Sequence, residues 1–156
     1  MPDATGILYA TTIDGQGGGA ALSHGDIAAH IKADSLAWIH LDALHAESRD
    51  WIKEELDYLD PLIVDALLAE ETRPRMVEFD QGALMILRGV NLNQDAQPED
   101  MVSIRLWIDA HRIITVQRRP LKAVKDIQDR LAAGQGPKHS GDFIAMLSAR
   151  LFERME

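Results

Sequence analysis

Met101-Val102-Ser103-Ile104-Arg105-Leu106-Trp107-Ile108-Asp109-Ala110-His111-Arg112-Ile113-Ile114-Thr115-Val116-Gln117 is the stretch that decides the fold. Val102, Ile104, Leu106 and Ile108 alternate with Ser103, Arg105 and Trp107, which is the period of a β-strand. Asp109-Ala110-His111 then turns the chain into a second apolar strand, Arg112–Arg118. Just upstream, Arg75–Asp80 and Ala83–Leu92 flank Gln81-Gly82, a tight-hairpin signal. Leu84 to Leu87 are apolar at both strand parities, so that strand is expected to be covered on both faces. Four strands in close succession therefore form the middle of the chain.

Working outward, Ile7–Ile13 and Leu36–Asp42 read as two further strands. Between them, Gly15-Gln16-Gly17-Gly18-Gly19 reads as a flexible loop, and Ser23 or Asp26 can cap a short helix running to about Ile31. Glu47–Leu59 is helical, with Ile52, Leu56 and Leu59 on one face. Asp60-Pro61 supplies an N-cap and a proline at the first helical position. The expected apolar stripe of that helix is Leu62, Ile63, Ala66 and Leu67, and it should end by Thr72-Arg73, before Pro74.

Two helices close the chain. Pro120 starts the first, which buries Leu121, Val124, Ile127 and Leu131, and Gly134-Gln135-Gly136-Pro137 breaks it. Ser140 is the expected cap of the last, with Phe143 or Ile144, Leu147, Leu151 and Met155 at helical spacing. That helix reaches Glu156 with no glycine, proline or polar tail, so it reads as one that continues. The order of elements predicts an α+β fold over residues 1–156, with a mixed, largely antiparallel sheet of about six or seven strands and helices on its faces.

Composition narrows the function. The chain has 156 residues, no cysteine and a net charge of −9. Disulfides and thiolate zinc sites are excluded, and an acidic surface argues against nucleic-acid binding. Charge is unevenly spread: Asp and Glu outnumber Lys and Arg by 20 to 7 in residues 1–110, whereas Lys and Arg lead by 9 to 5 in residues 111–156. Such an acidic body keeps a protein soluble and can also concentrate cations. No apolar run approaches the roughly 20 residues of a membrane-spanning helix, and Met1-Pro2-Asp3 does not open a signal peptide.

The best metal-like cluster is His40-Leu41-Asp42-Ala43-Leu44-His45. On a strand, His40 and Asp42 share a face, and His45 lies just beyond in a turn. Imidazole nitrogen and carboxylate oxygen suit zinc, although the spacing fits no established zinc motif. Hydrogen-bonded polar residues at a strand end would look the same. The glycine cluster lacks the following Lys-Ser/Thr of a phosphate loop. Glu54, Glu55, Asp57 and Asp60 read as a solvated helix face. In Glu70-Glu71-Thr72-Arg73-Pro74-Arg75, two arginines flank a rigid proline and can clamp carboxylates within the fold or across a subunit contact. No convergent nucleophile, base and oxyanion set is present, so no catalysis is expected.

Trp38-Ile39-His40-Leu41-Asp42, Leu67–Arg75, Leu84–Asn93, Pro98–Ser103, Arg105–Asp109 and Arg112-Ile113-Ile114 together resemble the cytoplasmic domain of CorA-type divalent-cation transporters, and look closest to the zinc-transporting, ZntB-like branch. The resemblance covers roughly residues 35–156. It implies an α/β/α cytoplasmic domain that lines a homopentameric funnel at the bacterial inner membrane. It also implies zinc or magnesium as transported or regulatory ion, no required cofactor, and a final helix leading toward membrane spans that this sequence does not contain. His40, Asp42 and His45 are candidate metal ligands by local chemistry, not by correspondence with the family. A stand-alone interaction or regulatory module with the same fold is the alternative.

Overall fold

Strand formation follows the buried apolar runs, and the computed structural model describes residues 7–22, 36–55, 61–68, 75–79, 82–90, 101–109, 112–118 and 122–153. The strands are β1 (Ile7–Thr12), β2 (Ala37–Asp42), β3 (Arg75–Phe79), β4 (Gly82–Val90), β5 (Met101–Asp109) and β6 (Arg112–Gln117). The helices are α1 (Ala46–Glu55), α2 (Pro61–Leu68), α3 (Lys122–Ala132) and α4 (Ser140–Glu153). The expected helix after Ser23, the apolar positions Leu56, Leu59, Leu121 and Met155, and the Glu70–Pro74 segment lie outside the described residues.

The six strands form one sheet in the order β1-β2-β6-β5-β4-β3. Every neighbouring pair is antiparallel except β2 and β6, which run parallel. This is the mixed, largely antiparallel sheet expected from the sequence. Both of its faces are covered. On one, Ile39, Leu41, Trp107, Ile114 and Val116 pack with Trp51 and Ile52 of α1 and with Ile63, Val64, Leu67 and Leu68 of α2. On the other, Trp38, Met85, Ile104, Leu106, Ile108 and Ile113 pack with Val124, Ile127 and Leu131 of α3 and with Phe143, Leu147 and Leu151 of α4. Leu84 and Met85 fall in opposite layers, which explains why β4 is apolar at both parities.

Three local expectations need correction. The α2 stripe is Ile63, Val64, Leu67 and Leu68, whereas Leu62 is 75% exposed. A helix starting at Pro61 turns its second residue outward here, and Val64 takes the inward place. In the β3–β4 hairpin, Gly82 pairs with Phe79 and so belongs to β4. Glycine is needed at that position because a Cβ would lie 2.4 Å from the Ile108 carbonyl oxygen of β5. Finally, His139 caps α4, not Ser140. Its carbonyl accepts from Phe143 N–H at 3.0 Å and its Nδ1 accepts from Asp142 N–H at 3.2 Å. Ser140 Oγ turns instead to the Asp109 carbonyl, at 3.4 Å.

The glycine cluster is an ordered clasp in this structure. Asp14 Oδ1 accepts from Gln16 N–H at 2.7 Å and from Gly18 N–H at 3.2 Å, which closes the turn. Gly17, with φ of 97°, then accepts from Gly136 N–H at 2.7 Å through its carbonyl. The β1 loop is thereby tied to the α3–α4 connection. At that connection, Gly134 has φ of 75° and ends α3 in a Schellman motif: Gln135 N–H bonds the Arg130 carbonyl and Gly134 N–H bonds that of Leu131.

Candidate functional site: a buried polar ladder and the turn at its end

β2 and β6 are parallel and both buried, so polar side chains on them must find partners inside the fold. The register places His40 beside Thr115 and Asp42 beside Gln117. Trp38 Nε1–H donates to Thr115 Oγ1 at 2.8 Å. His40 Nδ1 lies 2.6 Å from the same hydroxyl, and His40 Nε2 lies 2.7 Å from Gln117 Oε1.

The proton positions along this ladder follow from the donors. An indole N–H can only donate, so Thr115 Oγ1 accepts from Trp38 and turns its own proton to His40 Nδ1. A carbonyl oxygen can only accept, so His40 carries its proton on Nε2 and gives it to Gln117. Neutral His40 satisfies every bond. Burial, the dominant influence, pushes its pKa down to about 4, against smaller opposing effects from the Gln117 bond and the Asp42 charge. Around the ladder, Trp38 makes edge-to-face ring contacts with Tyr9 at 5.0 Å and with Phe143 of α4 at 4.8 Å between centroids.

Asp42 and His45 occupy the turn between β2 and α1. Asp42 Oδ1 accepts from Leu44 N–H at 2.9 Å, and its carbonyl accepts from Ser48 Oγ at 2.6 Å. His45 is exposed, and its Nδ1 accepts from Glu47 N–H at 3.1 Å, a side-chain cap at the start of α1. Ala43 N–H donates to the Gln117 carbonyl at 2.8 Å, which joins this turn to the end of β6. The structure therefore brings Asp42 and His45 together in one turn and commits both nitrogens of His40 inside the sheet. Among the described residues, no group of three or more His, Cys, Asp or Glu side chains is arranged to hold a metal ion.

Sequence reading missed Trp38, Thr115 and Gln117 as parts of this site. Their signal was present: after Arg112, Thr115 and Gln117 interrupt the apolar run of β6 at the spacing that returns to one face. Arg105 is a second buried polar feature, fully covered on β5 on the same face as Trp107. Burial, and then the nearby Arg118 cation, lowers its pKa to about 10, so it remains a cation at neutral pH.

Among the described residues, a six-stranded mixed sheet with a parallel pair near its centre and two helices on each face places this molecule among three-layer α/β/α sandwiches. The sequence profile of the CorA-like Mg2+ transporter protein family matches residues 33–156, and the chain belongs to that family. It is 38% identical over 156 residues to the divalent cation transporter CmaX of Pseudomonas aeruginosa, covering 99% of this chain and 47% of the relative. It is 35% identical over 144 residues to the zinc transport protein ZntB of Klebsiella pneumoniae, covering 92% and 42%. The chain thus spans about half the length of the curated relatives it matches. Among solved structures, full-length CmaX superposes with a TM-score of 0.90 at 38% identity, over 97% of this chain and 47% of that one. The cytoplasmic domain of ZntB from Vibrio parahaemolyticus superposes with a TM-score of 0.78 at 27% identity, over 95% and 58%.

Proposed function

We propose that this chain is the cytoplasmic regulatory and funnel portion of a divalent-cation transporter, with zinc or magnesium as the ion, at the cytoplasmic face of a bacterial inner membrane. The observation that carries this reading is the match of nearly the whole chain, in sequence and in fold, to the divalent cation transporter CmaX. The ZntB cytoplasmic-domain match supports the assignment to the cytoplasmic side. No described helix is long and apolar enough to cross a membrane, so the role given to these residues is to shape and regulate the route to a pore. The reading assigns them no catalysis.

In this reading, the acidic surface raises the local cation concentration within the screening distance of about 8 Å at physiological salt. Assembly into a homopentamer would multiply the net charge of −9 per chain around a common axis. His40 serves the fold, and direct cation contact at this end of the sheet falls to Asp42 and His45, each of which keeps a second side-chain donor atom beyond its capping bond.

Titration calorimetry with Zn2+ and with Mg2+, at low and high salt, tests these assignments. Asp42→Ala/His45→Ala is expected to weaken zinc binding, and His40→Gln to leave it unchanged. An unaltered isotherm in the double variant removes the turn as a ligand site. Absence of saturable binding in an assembly shown by light scattering to be pentameric overturns direct cation handling by these residues.

A further inference from the structure

We draw no further inference here: the strongest candidate, the edge strand β3 with its exposed apolar residues Met76, Val77 and Phe79, carries nothing because nothing in the structure shows what covers it.

Discussion

At the scale of single residues, His40 shows how a polar side chain is accommodated in a covered sheet. Its neighbours are one acceptor, one hydroxyl and the Trp38 ring, and burial among them favours the neutral ring over the cation despite the Asp42 charge. The unfolded chain binds this proton near pH 6.5, whereas the folded ring resists until about pH 4. Across that window the unfolded state holds more protons. Its contribution to stability is therefore complete above about pH 6.5 and is lost as pH falls toward 4, by up to roughly 3 kcal/mol. Urea unfolding at several pH values should show the wild type losing its advantage over His40→Gln across this interval. A constant difference between the two would contradict the buried neutral imidazole. Nitrogen NMR of the ring at neutral pH should report the Nε2–H tautomer. The sequence pointed to His40 but could not separate ligand from lattice, because the deciding partners, Thr115 and Gln117, are 75 and 77 residues away.

At the scale of elements, the contact between the β1 loop and the α3–α4 connection makes two glycines unequal. Gly134 has open space around its missing side chain, so Gly134→Ala incurs only the left-handed backbone penalty, about 1 kcal/mol. At Gly17 a Cβ would lie 2.6 Å from the Gly134 carbonyl oxygen, and backbone strain adds to that clash. Gly17→Ala should therefore be the more damaging, by about 2 kcal/mol or more, measured as loss of unfolding free energy. Element identity was largely legible from periodicity, but the ends of elements were not. The α4 cap was misassigned because serine is a common N-cap and histidine an uncommon one, so residue type favoured Ser140 over His139. The α2 stripe slipped because apolar residues fill most of Pro61–Leu68, and a period of 3.6 is poorly fixed when few polar positions mark the outside. Leu62→Ala should accordingly change stability by less than about 0.5 kcal/mol, whereas Leu67→Ala should lose about 2–5 kcal/mol.

At the scale of the whole molecule, β5 and β6 hold the two helical layers together through a sheet buried on both sides. Leu106 is fully buried in the α3–α4 layer and Trp107 in the α1–α2 layer, one residue apart. Leu106→Ala should destabilise by about 2–5 kcal/mol, and a chemical-denaturation series would test it. The strand count and the layered architecture were readable, since each follows from local pattern. The strand order was not. β1-β2 and β3 to β6 are hairpin-like neighbours, but the parallel joining of β2 to β6 depends on side chains far apart in sequence. Trp38, His40, Thr115 and Gln117 specify that joint chemically, yet each alone looks like an ordinary strand residue.

The parallel joint also sets the order in which the molecule can assemble. Ala37 cannot meet Arg112 until the intervening chain has been made, so during synthesis β1 and β2 must wait as an incomplete sheet while β3 to β6 emerge as local antiparallel pairs. Loop-closure entropy is therefore expected to make the joining of β2 to β6 late and slow in folding. Truncation before Thr115 should leave a collapsed, protease-sensitive nascent chain, with protection gained only when β6 is present. Pulse proteolysis of stalled nascent chains would show whether protection arrives with that strand.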